Sequence, residues 1–314
     1  MRPSRRDIVI ATRKSRLARA QSDLIGRWLL QLNPRVQMRL VEMESEGDRL
    51  SSHPLTDLGG KGLFTRTIEA ALLGRRADLA VHSFKDLPTT ETAGLVVAAT
   101  PPREAVHDVL IARGPARIED LPRGATVGTC SPRRGAQLLR LRSDLKIVPM
   151  RGNVETRLTK VLEQQIVDAT LLAAAGLVRL GLDQHTRCPI PVEQVLPAAG
   201  QAALAVQCRL DDHPTLRRCM PINDPPAALA VSLERQVIAA TGADCHSPIA
   251  VLAETQADAT VRLRVRILSM DGRTCLEEDR TSAPTGAAQA CGEIIESLLS
   301  AGARELIQRV GPPA

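Results

Sequence analysis

Leu79-Ala80-Val81-His82-Ser83-Phe84-Lys85-Asp86-Leu87-Pro88 is an apolar run that ends abruptly in a charged pair and a proline. Leu79-Ala80-Val81 reads as a buried strand stopped by a breaker, which sets Ser83, Lys85 and Asp86 at its mouth. In an α/β sheet, residues at strand ends face the crevice where ligands bind. Taken alone, a Lys-Asp pair before a turn is usually a solvated surface pair. The rest of the chain shifts that balance, because it places arginines in several similar strand-to-helix turns and leaves Asp86 a lone carboxylate among cations.

Upstream, Asp7 to Ala11 reads as a strand, followed by Thr12-Arg13-Lys14-Ser15 and a helix marked by Leu17, Ala20, Leu24, Trp28 and Leu32. Ser15 is suited to cap that helix, so Arg13 and the first-turn NH groups form a candidate anion site. Val36 to Met43 alternates as a second strand. Residues 44–62, rich in glycine and without periodicity, read as a long mobile loop, and a helix over Leu63 to Leu73 leads back to the opening stretch.

Downstream, Leu95 to Thr100 is a further strand and Pro101-Pro102 a crossing point. Thr126-Val127-Gly128-Thr129-Cys130-Ser131-Pro132-Arg133-Arg134 repeats the pattern of strand, hydroxyls and arginines opening a helix, with Pro132 placed where its missing NH is not needed. Lys146 to Met150 with Arg151-Gly152-Asn153-Val154-Glu155-Thr156-Arg157 repeats it again. Thr170 to Ala175 gives another strand, with Arg179 in the turn after it. Four such turns favour one polyanionic ligand, each charge-assisted contact contributing about 1.5–3 kcal/mol. Nucleic acid competes poorly: there is no basic run and no aromatic stacking platform. No P-loop or dinucleotide fingerprint is present.

Leu196 to Arg209 reads as a return to the first domain. A third unit has a helix over Ala227 to Ala240, a turn holding Cys245, strands near Ile249 to Ala253 and Val261 to Leu268, and one helix from Ala287 to Val310. The domains are therefore read as 5–101 with 200–220, 105–196 and 225–314. Cys208, Cys219 and Cys291 fall in apolar settings and read as core, whereas Cys245 lies in a loop, open to service as a nucleophile or an attachment point.

At 314 residues the chain can bury more than one core. A net charge of +6 carried almost wholly by arginine suits carboxylate or phosphate ligands, although a GC-rich genome produces the same bias. Seven cysteines without a CxxC pair argue against a disulfide framework and a zinc ribbon. The basic start and the short apolar run after it do not make a signal peptide, and no apolar stretch is long enough to span a membrane. A cytoplasmic protein is expected.

Ala11 to Ser15, Gly59-Gly60-Lys61-Gly62-Leu63-Phe64, His82 to Pro88, Gly128 to Arg134, Arg151 to Val154 and the Cys245 loop closely resemble, in the same order, the porphobilinogen deaminase (hydroxymethylbilane synthase) family. The resemblance spans almost the whole chain. It implies an α/β protein with two domains like those of periplasmic binding proteins and a smaller α+β C-terminal domain. It also implies a cytoplasmic, monomeric transferase of tetrapyrrole and heme biosynthesis, which joins porphobilinogen units with loss of ammonia on a dipyrromethane cofactor. By position, Cys245 matches the cysteine that carries the cofactor and Asp86 the catalytic aspartate. Lys85, Thr129, Ser131, Arg133, Arg134, Asn153 and Arg157 match the cofactor-binding positions. Arg13, Ser15, Phe64, Arg151, Arg179 and Gln201 match the substrate-binding ones, and no metal is implied.

The sequence departs from the family at Ala202, Ala205 and Gln207, where Gly, Gly and Glu are usual, and at Ala243-Asp244, where Gly-Gly precedes the cysteine. Glu46 and Thr67 also replace a more usual basic residue and Glu. Asp244 beside Cys245 disfavours the thiolate. Two rivals stand beside the deaminase reading: a catalytically weakened family member, and a non-catalytic anion-binding receptor or sensor of the same two-lobed fold, which would need neither Asp86 nor Cys245.

Overall fold

The structure, a computed structural model, describes residues 7–44, 65–244 and 246–308. Most of the loop read over 44–62, and the site candidates Phe64 and Cys245, lie outside the described residues. The chain packs as two compact units, Met1–Glu104 with Ala202–Ala228 and Ala105–Gln201 with Leu229–Ala314.

In the first unit, β1 (Ile8–Arg13), β2 (Met38–Met43) and β3 (Leu79–Ser83) are parallel. β9 (Leu204–Arg209) runs antiparallel between β3 and β4 (Leu95–Ala99), giving the order β2-β1-β3-β9-β4. Strand alternation splits the apolar residues between two faces. Ile8, Ile10, Leu79 and Val81 pack with Ile25 and Leu29 of α1 (Arg16–Leu32), whereas Ala11 and Ala80 pack with Ile68, Ala71 and Leu72 of α2 (Arg66–Leu73).

The second unit repeats the plan. β6 (Thr126–Gly128), β7 (Lys146–Val148) and β8 (Ala169–Ala173) are parallel, and β5 (Asp108–Ala112) runs antiparallel along β8 in the order β5-β8-β6-β7. Counted from the first parallel strand, both sheets place the second strand on one side and the third, then an antiparallel crossing strand, on the other. α3 (Pro132–Leu141) covers one face through Leu138, and α4 (Val154–Leu162) covers the other through Leu158 and Val161.

The second unit also holds an antiparallel sheet of β10 (Ile249–Thr255), β11 (Val261–Leu268) and β12 (Cys275–Ser282). Its core joins Leu233 and Val237 to Ile294 and Leu298 of a C-terminal helix, Ala287–Ser300. The architecture is thus mixed α/β with a smaller α+β part, as expected. Three local expectations change. The single helix over Ala287 to Val310 is interrupted: a second helix, Ala303–Gln308, follows Gly302, whose φ of +87° breaks the first. The strand expected over Thr170 to Ala175 ends at Ala173, and Arg179 stands not in a turn but at the end of a short helix, Ala174–Arg179. β5 and β12 are strands not expected above, β12 because its sequence CLEEDRTS is polar along an exposed edge.

Candidate functional site

Two clusters of candidate residues form, one at the sheet of each unit. In the first unit, β1 ends at Arg13 and Ser15 caps α1, its hydroxyl accepting from the Ala18 NH at 3.3 Å. β3 passes into a single 3-10 turn, Phe84–Asp86, where Phe84 is buried and Lys85 and Asp86 are exposed. Arg13, Ser15, Gln21, Thr65, His82, Ser83 and Asp86 line one cavity. Gln21 Nε2 donates to Ser83 Oγ at 2.8 Å and fixes that wall. Lys85 is absent from the lining.

His82 is buried behind this cavity. Its Nε2 lies 3.1 Å from Gln207 Oε1, and Gln207 Nε2 donates to Glu69 at 3.2 Å. Burial pushes the imidazole down from 6.5 to about 4, against the opposing pull of Glu69, the Gln207 hydrogen bond and Asp86. The ring is therefore neutral at physiological pH.

The second unit gathers Arg133, Arg134 and Gln201 on a residue that the sequence reading did not single out. Asp108, at the start of β5, is fully buried. It accepts from Arg133 Nη2 at 2.9 Å, from Arg134 Nε and Nη2 at 3.0 and 2.7 Å, and from Gln201 Nε2 at 2.9 Å. Arg133 also donates to the Leu196 carbonyl at 2.7 Å. Burial lowers the Arg133 pKa from its ordinary value, although Asp108 opposes the shift. These two arginines are thus held by an internal carboxylate. The available signal was an acid opening the apolar run Asp108-Val109-Leu110-Ile111, a pattern typical of a partnered buried charge.

Beside them, Ser131 caps α3 and accepts from the Arg134 NH at 3.4 Å, while Thr129 Oγ1 accepts from the Ser131 NH at 3.0 Å. Asn153 caps α4 through the Thr156 NH at 2.8 Å. Arg157 donates to the Gly152 carbonyl at 2.9 Å. Its pKa is lowered by burial and by the charge of Arg134, and no carboxylate pairs with it among the described residues. Arg151 stands in the loop before α4, where its carbonyl accepts from Lys160 at 3.0 Å. Arg179 is the last residue of its own short helix.

Two sequence departures acquire a geometry. Ala202 adopts φ +71°, the left-handed region that glycine occupies without a Cβ penalty. Asp244 accepts from the His246 NH at 2.9 Å and from Ser247 Oγ at 3.0 Å, so its carboxylate is bound into the turn. Among the described residues no group of His, Cys, Asp and Glu could hold a metal, and no helix is long and apolar enough to cross a membrane.

Capped helix starts and arginines thus stand at the strand ends of a twice-used α/β sheet, with the exposed Asp86 at one of them. Residues 8–217 match the family model described as porphobilinogen deaminase, dipyromethane cofactor binding domain, and residues 228–300 match the porphobilinogen deaminase C-terminal domain. The chain belongs to the porphobilinogen deaminase family. Relatives named porphobilinogen deaminase include one from Desulforudis audaxviator, 44% identical over 98% of this chain and 98% of its own length. Another, from Moorella thermoacetica, is 43% identical over 97% and 96%. Fainter likenesses reach a nutrient binding protein from Burkholderia cenocepacia bound to methionine, with TM-score 0.42 and 14% identity over 68% of this chain and 89% of that one. A periplasmic substrate-binding protein of an ABC transporter from Coxiella burnetii gives TM-score 0.43 and 13% identity over 73% and 96%.

Family membership makes the chain a transferase with a dipyrromethane cofactor. The donors suit that group: Arg157 is a half-buried cation without a carboxylate partner among the described residues, set beside capped helix starts, and the cofactor carries acetates and propionates.

Proposed function

We propose that this chain condenses four porphobilinogen molecules head to tail into hydroxymethylbilane with release of ammonia, the hydroxymethylbilane synthase reaction, and that it works as a cytoplasmic monomer. The observation that carries the site assignment is the convergence of Arg13, Ser15 and Asp86 on one cavity at the mouth of β1 and β3. The receptor reading is not favoured, because relatives matching nearly the full chain are deaminases.

Arg13, with Arg151 and Arg179, is assigned to the substrate's carboxylates, where a guanidinium fork makes two parallel hydrogen bonds and so sets orientation as well as affinity. Ser15 and Gln201 are assigned as further polar contacts, and Phe64 as an aromatic wall. When ammonia leaves the aminomethyl group, the carbon–nitrogen electron pair departs with nitrogen and the ring nitrogen's lone pair delocalises onto the carbon left behind. Positive charge therefore spreads over the pyrrole. Asp86, exposed at the cavity, balances that charge and is placed to take up or return the pyrrole NH proton.

The dipyrromethane, when bound, supplies the pyrrole carbon to which new units are joined. Cys245 is assigned as its point of attachment, and Lys85, Thr129, Ser131, Arg133, Arg134, Asn153 and Arg157 as the residues that orient its side-chain carboxylates. The three-domain division at 5–101 with 200–220, 105–196 and 225–314 is proposed with these roles. Intact mass of the purified parent beside Cys245→Ser tests the assignment: an excess of two linked pyrrole units in the parent alone is expected. An equal excess in both would move the anchor elsewhere.

A further inference from the structure

Behind the cavity that Asp86 lines, Glu69 of α2, Gln207 of β9 and His82 of β3 form a buried relay. Its geometry comes from the sheet. Ala80 pairs with Gln207 and His82 with Ala205, so His82 and Gln207 are diagonal neighbours on one face of the antiparallel pair. Gln207 has one donor end and one acceptor end. The Glu69 carboxylate accepts from Gln207 Nε2, which leaves Gln207 Oε1 toward His82 and requires the proton on His82 Nε2. A carboxylate at position 207, usual in the family, would impose no such order: it could share a proton with Glu69 or draw a second proton onto the ring.

We propose that Gln207 is a positioning residue that fixes His82 as the neutral Nε2–H tautomer, so that the wall beside Asp86 carries no titrating cation where positive charge develops on the substrate. The charged groups acting on His82 are Glu69 from α2, Asp86 from the turn after β3 and Arg13 from the end of β1. The two carboxylates favour a protonated ring, and Arg13 together with burial opposes it. Burial prevails, which keeps the ring neutral through the physiological range. An imidazolium there would oppose the substrate cation and compete with it for Asp86. The catalytic consequence rests on Asp86 as the catalytic carboxylate; the tautomer does not.

The test begins with the unaltered protein, uniformly labelled with ¹⁵N and assigned, so no variant has to fold. Long-range proton–nitrogen correlation should show His82 as the Nε2–H form, without titration between pH 5 and 8. An Nδ1–H ring, or one that takes up a proton above pH 6, overturns the proposal. In Gln207→Glu, His82 should begin to titrate in that range and the acid limb of kcat/KM should gain a second ionisation. An unchanged His82 signal with an unchanged pH profile in that variant also overturns it. Asp86→Asn kinetics, run in parallel, judge the catalytic assignment separately: turnover retained there removes Asp86 and leaves the tautomer result standing.

Discussion

Both α/β sheets carry an acid at the edge where their parallel strands end, and the two acids meet opposite environments. Asp86 follows β3 in a one-turn 3-10 helix and is exposed to a cavity it shares with Arg13 and Ser15. Asp108 begins the crossing strand β5, pairs across to Ala173 at the end of β8, and is sealed beneath Arg133, Arg134 and Gln201. An exposed carboxylate is cheap to keep charged and free to exchange protons. A buried one persists only if it is fully partnered, and it then serves to orient its partners. The same edge therefore holds an exposed acid in one sheet and an organiser of arginines in the other.

The most severe break of this contrast is Asp108→Ala. It strands two buried guanidiniums and should lower unfolding stability by about 3–5 kcal/mol, read from urea midpoints. Asp86→Ala should change stability by less than about 0.5 kcal/mol. Equal losses in the two would erase the distinction.

Acid sharpens the comparison next. His82 in the first unit has its pKa lowered from 6.5 to about 4, so as pH falls through that window the unfolded chain gains a proton that the folded chain refuses. Stability should therefore drop by about 3 kcal/mol between pH 6.5 and 4, all else equal, and the slope should flatten in His82→Gln. Denaturant titrations at half-unit pH steps would show it.

Asp86→Asn should cut turnover by about 10²-fold or more with substrate affinity little changed, since the amide keeps the shape and loses the charge and the proton. Steady-state kinetics on cofactor-loaded protein decides this, and near-normal turnover would return Asp86 to the surface. A modest gain, not a loss, is expected at Ala202. Replacing it with glycine relieves a Cβ held at φ +71° and should raise stability by about 0.5–1 kcal/mol after the added flexibility of the unfolded chain is counted. A melting temperature that does not rise would show the strain to be compensated elsewhere.

What the sequence disclosed was local. An apolar run stopped by a breaker located β3, alternation located β2, and helical spacing located α1. Ser15, Ser131 and Asn153 were legible as residues opening helices because a cap bonds to an NH three positions on, a distance visible in the chain. The run from His82 to Pro88 disclosed the family because its chemistry is contiguous.

Only the tertiary structure decided which arginines were already engaged. Arg209 looks no different in sequence from Arg13, yet it is buried on Asp212 at 2.5 Å and on the Leu72 and Ala77 carbonyls. Nothing near Arg133 and Arg134 in the chain shows that both also bind the buried Asp108, 25 and 26 positions away. Gln207 reads as a lost carboxylate until β9 sets it against His82, 125 residues distant. Periodicity and capping act within a turn or two of chain and leave a trace there. The partner of a buried charge is chosen by strand pairing across the whole sequence, so the chain by itself lists the charges and the fold alone matches them.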